Sequence, residues 1–444
     1  MEKELERYIG VLPSERQKEH AKHPFYVFIH FGMNTMQVRE WGTGTEDPAD
    51  FTLKTPVDAT GWAKAVKAAG ASGIILTCKH HDGFCLFPSA YTQHCIKNSP
   101  YRGGKGDIVK EVSDACRQYG LKFGVYLSPW DMTDKRYGTP AYNDYFCNQL
   151  TELLSNYGEI FEVWFDGAKG KDAVDFEYDW DRYYALIRKL QPMANIAVCG
   201  PDIRWVGNEG GKSRKNEFCV VPSSLSVAER VSAASQSEAD ATGKMKKLTS
   251  TDEDLGSRSV LKNAKDLIWY PAEVDVSISR TWFYNKNTDK TIKSTRKLMH
   301  IYNTSVGGNC YLLLNVPPDR QGRFSEKEVR ALERFGVAIR AQTAKPAAEK
   351  KNPKLKEMCY TLRFKKPCRV KTVVLKEDIS KSQRVEAFEL YALYGDRRVR
   401  ICTSGVIGMQ KNCRLHMFRK ADGLLLKVTE SRGEPYLSFF GAYC

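Results

Sequence analysis

A (β/α)8-like barrel (TIM-type) followed by a C-terminal all-β sandwich is the α/β fold class that this sequence predicts. Three observations predict it. From residue 25 onward, short apolar strands alternate with amphipathic helical stretches, the pattern of βαβ units around a parallel sheet. Polar, chemistry-bearing residues cluster just after the strands, as they do at the open face of a barrel. No glycine-rich phosphate loop follows the first strand, which argues against an open dinucleotide-binding sheet.

The elements run in order. "FYVFIHF" is the first strand and "DATGWAKAVKAAGA" its helix; "GIILT" follows, and then, after a loop, the helix "DIVKEVSDACRQYG". "FGVYLS" leads to a helix near 140–157, "IFEVWF" to a helix near 179–190, and "NIAVC" comes next. These strands are almost continuously apolar, which suits a sheet covered on both faces. Residues 207–266 are rich in Ser, Lys and Asp and read as long loops, the kind that shape a site at a barrel face. Regular structure resumes with "DLIWYPAEVDVSI", a helix near 290–305, "CYLLLNVPP" and a helix near 325–343. "KPAAEKKNPKLKE" reads as a linker. "RVKTVVLKED", "RVEAFELYALYG", "RVRICTSGVIG" and "GLLLKVTES" then alternate with turns, as a sandwich would. The expected division is residues 1–344 for the barrel and 345–444 for the sandwich.

The chain has 444 residues, of which 42% are hydrophobic, enough for two cores. No apolar run is long enough to cross a membrane. The net charge of +15 is uneven: residues 345–444 hold 22 Lys+Arg against 10 Asp+Glu, so +12 belongs to the tail and +3 to the rest. No nucleic-acid-binding signature accompanies the charge. A solvated basic surface explains it, and an affinity for acidic glycans is the alternative. Thirteen cysteines without a C-x-x-C pair argue against a disulfide framework and a zinc ribbon and suit small buried side chains.

Asp166 is the leading candidate for chemistry. It ends the aromatic run "FEVWFDG" at a strand's C-terminal end, next to glycine, and Trp164 shares its face of the strand. An Asp here also suits the cap of the following turn. Glycosidic hydrolysis needs a second carboxyl. Glu209 in "RWVGNEGG" fits, with Glu273, Asp275 and Glu253 as competitors. His80 and His81 in "TCKHHDGF" invite a metal reading, but adjacent histidines on an extended segment point to opposite sides and no H-x-H or H-E-x-x-H spacing occurs. Neutral imidazoles that hydrogen-bond hydroxyls are the better reading, with no metal and no cofactor. His30, Glu40, Trp41 and Tyr126 extend the composition of a sugar pocket. No G-x-S-x-G elbow supports a serine hydrolase.

"FIHFGMNT", "EW", "TCKHHDGFCLFPS", "KGDIVKEVSDACRQYGLKFGVYLSPWD" and "EVWFDGAKG", in this order, resemble the glycoside hydrolase family 29 α-L-fucosidases over residues 10–344. "RWVGNEGG" and "PAEVDVSISRTWFYN" look most like the α-1,3/1,4-specific subgroup. The resemblance implies a retaining exo-enzyme that releases terminal fucose from a fucosylated oligosaccharide or glycoconjugate. It implies Asp166 as nucleophile, Glu209 as acid/base, and His30, Glu40, Trp41, His80, His81, Tyr126 and Trp164 as fucose contacts. It also implies a periplasmic or secreted location. The charged start "MEKELERYIGVLPSERQ" carries no signal peptide, which leaves a cytoplasmic location open. An α-L-galactosidase and a catalytically silent, lectin-like glycan binder on the same barrel are the competing expectations.

Overall fold

The computed structural model describes residues 2–170, 176–228, 231 and 248–444. Eight parallel strands form the main sheet: β1 (Phe25–Ile29), β2 (Gly73–Lys79), β3 (Lys122–Leu127), β4 (Glu162–Phe165), β5 (Asn195–Val198), β6 (Arg204–Trp205), β9 (Ala272–Ser277) and β10 (Cys310–Asn315). Their order is β5-β4-β3-β2-β1-β10-β9-β6, and a parallel bridge between Ala197 and Ile203 brings the two edges together, so the sheet is a nearly closed barrel. Almost every strand residue is buried, because side chains on one face fill the barrel and those on the other meet the helices. Helices at Ala59–Ala68, Ile108–Tyr119, Ala141–Asn156, Trp180–Leu190, Thr295–Thr304 and Glu326–Gln342 are the outer layer.

The inward residues stack in layers. Tyr26, Glu162 and Glu273 share hydrogen bonds at the floor. Phe28 and Trp164, with ring centroids 5.1 Å apart, lie above them at the level of Asp275. His30 and Asp166 stand at the open C-terminal face. The two-residue side-chain period of the strands generates this order.

Two sequence expectations are corrected in the barrel. "DLIWYPAEVDVSI" is two strands: β8 (Leu267–Trp269) pairs antiparallel with β7 (Val220–Pro222) outside the barrel, and only β9 enters it. The 207–266 segment therefore contains regular structure, including a helix at Arg258–Lys262; its residues 229–230 and 232–247 lie outside the described residues. The step from β5 to β6 has no helix, since only five residues separate Val198 from Arg204. The chain's own N-terminal segment covers this corner. Ser14 caps a short helix, Glu15–His20, from which Gln17 Nε2 donates to the carbonyls of Asp202 (2.9 Å) and Trp269 (3.0 Å). His20 stacks on Phe161 and sets its Nε2 2.7 Å from Glu162 Oε2, closing the floor.

The tail forms two four-stranded antiparallel sheets, β11-β18-β13-β16 and β12-β17-β14-β15, built from β11 (Pro346–Lys351), β12 (Cys359–Cys368), β13 (Thr372–Glu377), β14 (Val385–Tyr394), β15 (Arg397–Ser404), β16 (Lys411–Arg414), β17 (Ala421–Ser431) and β18 (Leu437–Tyr443). The stretch expected to be a linker thus begins as a strand, because β18 offers its edge to residues 346–351. A disulfide joins Cys368 to Cys444, whereas most other cysteines are buried and free, as small hydrophobes.

Candidate active site

The strand ends surround one cavity of about 670 Å³, lined by His30, Glu40, Trp41, His80, His81, Trp164, Asp166 and Glu209. Eight of the nine residues singled out in the sequence therefore share one space. Tyr126, the ninth, is fully buried beneath it and reaches in through its hydroxyl, which donates to Asp166 Oδ2 at 3.0 Å. Asp166 Oδ1 accepts the backbone N–H of Ala168 at 2.8 Å. Both carboxylate oxygens are held, so the group has a fixed direction.

Hydrogen bonds set the protonation pattern of the three histidines. His30 Nδ1 donates to Asn315 Oδ1 (2.9 Å), whose amide nitrogen is itself committed to Ser277 Oγ and the Trp282 carbonyl. Burial pushes His30 down to about 3, so its Nε2 is a bare acceptor. His81 Nδ1 lies 2.7 Å from Ser128 Oγ, whose proton goes to the Trp130 carbonyl, so His81 Nδ1 is also a donor. Its Nε2 is 3.7 Å from Asp166 Oδ2. His80 has the opposite tautomer, since its Nδ1 faces the amide nitrogen of Asn34 at 3.3 Å. Burial lowers the His81 and His80 pKa values as well. The cavity thus offers two imidazole acceptors and one donor, all uncharged, which is the equipment for reading hydroxyls.

Glu209 sits on the loop after β6. Asn208 Oδ1 accepts the N–H groups of Gly210 and Lys212, which closes a tight turn around it. Gly207, at φ +103°, leaves no room for a Cβ, because Ser250 O would lie 2.5 Å away. Gly211 has a positive φ too and packs toward Ile301 and Val276, so backbone geometry favours glycine here. Glu209 Oε2 accepts Trp282 Nε1 at 3.1 Å. The residue keeps an open side toward the cavity mouth, yet the surrounding atoms raise its pKa, with smaller contributions from the Asp166 and Glu40 charges. Glu40 Oε2 accepts the N–H groups of Trp282 (2.8 Å) and Phe283 (3.3 Å), while its Oε1 is buried without a partner among the described residues.

Glu273 does not line the cavity. It lies on the barrel floor, where it accepts Trp164 Nε1 at 2.8 Å and the Tyr26 hydroxyl. Glu253 is likewise absent from the walls, whereas Asp275 is part of them. Sequence reasoning missed several wall residues: Phe28, Trp130, Trp205, Asn208, Trp282 and Phe283. Trp130 lies within the noted "SPWD", and Trp282 and Phe283 follow β9 directly. Trp41, 53% exposed, packs at a tilt against His81 and Trp130 and forms the rim.

A family model described as alpha-L-fucosidase matches residues 14–342. The chain belongs to the alpha-L-fucosidase family. As a member of this glycoside hydrolase family it is 33% identical over 467 residues to alpha-L-fucosidase 1 of Arabidopsis thaliana, covering 97% of this chain and 87% of that one. A crystal structure from Bacteroides ovatus is 39% identical, with a TM-score of 0.89, over 100% of this chain and 75% of the other. A Ruminococcus gnavus GH29 fucosidase solved in complex with fucose is 27% identical, with a TM-score of 0.80, over 98% and 95%. The fucosidase barrel and the antiparallel tail are thus shared with solved relatives along nearly the whole chain.

Proposed function

We propose that this family member is a retaining exo-α-L-fucosidase that removes terminal α-1,3/1,4-linked fucose from branched glycans. The observation that carries the mechanism is the pairing of Asp166, fixed at the end of β4 by Tyr126 and the Ala168 N–H, with Glu209, whose pKa is raised in the same cavity. Asp166 attacks the anomeric carbon as the carboxylate, and Glu209 protonates the departing oxygen. A covalent fucosyl-enzyme results. Glu209 then takes a proton from water, which attacks the anomeric carbon and releases fucose. In a closed, liganded site the two carboxyls should stand about 5–5.5 Å apart. His30, Glu40, Trp41, His80 and His81 read the fucose hydroxyls, and Trp164, backed by the Tyr126 ring, supports its apolar face.

The linkage assignment rests on the motifs "RWVGNEGG" and "PAEVDVSISRTWFYN". The deciding experiment compares hydrolysis of a fucosylated Lewis-type trisaccharide and of an aryl α-L-fucoside by wild type, Asp166→Ala and Glu209→Ala. Release from the trisaccharide that Asp166→Ala abolishes is expected. Glu209→Ala should retain more activity on the aryl substrate, whose leaving group needs less protonation. Release from the aryl substrate alone would overturn the linkage assignment. A fully active Glu209→Ala would remove Glu209 from the mechanism.

A further inference from the structure

Four carboxyls line the active-site cavity, and one of them, Asp275, has no task in the mechanism above. Asp275 lies on β9, one inward position above Glu273, and is only 3% exposed. What remains exposed belongs to the cavity wall. Its Oδ1 accepts Trp205 Nε1 at 2.9 Å. Apart from its own backbone N–H, no other donor among the described residues reaches the carboxyl, which is part of the cavity wall. The aromatic side chains Phe28, Trp164 and Trp205 line the same cavity.

Burying a carboxyl with a single indole partner is costly, and an aliphatic residue would fill the same volume without that penalty. A ligand hydroxyl that completes the hydrogen bonding offsets the penalty. We infer that Asp275 is a substrate-binding residue that holds a hydroxyl of the fucosyl unit on the cavity floor. The depth of Asp275 assigns it to the sugar that enters the cavity and not to the departing group at the mouth. Burial, with the neighbouring Glu209 and Glu273 carboxyls, raises its pKa well above the usual range, so in the empty cavity it is a neutral acid able both to donate and to accept.

The inference rests on the fucosidase reading, and direct binding separates the two. Calorimetric titration of L-fucose is performed on wild type, Asp275→Asn and Asp275→Leu, with thermal unfolding as the check on folding. Wild type should bind. Asp275→Leu should bind roughly 10–100-fold more weakly, the loss of one hydrogen bond to an ionisable group. Asp275→Asn, which keeps one acceptor oxygen, should fall between them. Folded variants that bind L-fucose as wild type does would overturn the role of Asp275. If Asp275→Leu does not fold, the Asn variant decides, and unchanged affinity in it is the same refutation. Absence of L-fucose binding by wild type would instead overturn the fucosidase reading itself, and this inference with it.

Discussion

Trp164 couples the floor of the barrel to its open face. Its indole N–H donates to Glu273 Oε1 at 2.8 Å, while its ring lies almost parallel to that of Tyr126, centroids 5.3 Å apart. Trp164→Phe keeps an aromatic ring but leaves a fully buried carboxyl oxygen without its donor. The expected cost is about 1–3 kcal/mol in denaturant-unfolding free energy. An unchanged unfolding midpoint would mean that Glu273 finds another partner.

Tyr126 positions Asp166 through one hydrogen bond. Tyr126→Phe removes it without altering the packed volume, so the carboxylate loses its fixed direction. Turnover of an aryl α-L-fucoside should fall roughly ten- to hundredfold, with a smaller change in KM. A kcat equal to that of wild type would show that Ala168 alone orients Asp166.

The pH profile tests Glu209. Burial raises its pKa, and the hydrogen bond from Trp282 opposes that rise by stabilising the ionised form. Trp282→Phe should therefore shift the alkaline limb of kcat/KM to higher pH, because Glu209 holds its proton longer. A limb that stays in place or moves to lower pH would assign it to another group.

Stability should depend on pH through the floor. Burial pushes Glu162 up to about 8 from an ordinary value of 4.5. Between these values the folded chain keeps a proton that the unfolded chain has released, so stability falls as pH rises. The benefit of protonation is complete below about 4.5 and is lost by about 8. Glu162→Gln stays neutral in both states and should show a flatter melting temperature across this window. Parallel curves for the two proteins would reject the assignment.

The sequence made part of the site legible for a local reason. His30, His80, His81, Trp164 and Asp166 stand at or just beyond strand ends, and a parallel barrel converts that position into a shared face. Asp275 and Glu273 show why the rest was hidden. They lie two residues apart on the same face of β9, so parity cannot separate a cavity wall from a floor. Register with β10, where Glu273 meets Tyr311 and Asp275 meets Leu313, sets their depth. Trp282 was equally hidden, since only the tertiary fold carries a residue beyond β9 across to Glu209. The two-residue strand β6 has no periodicity to detect, and β11 became a strand only because β18 presented an edge.

The short helix at Glu15–His20 has a consequence for the order of assembly. Its seats are Glu162, Asp202 and Trp269, and the last of these lies 252 residues further along the chain. The helix leaves the ribosome long before β8 does, so its docking surface is incomplete until β8 has been made. Until then the apolar ring of Phe161 and the Glu162 carboxyl lack their cover, and the nascent half-barrel has an open base. Long-range closure of this kind slows folding, so a helix made well before its seat is among the last parts to lock.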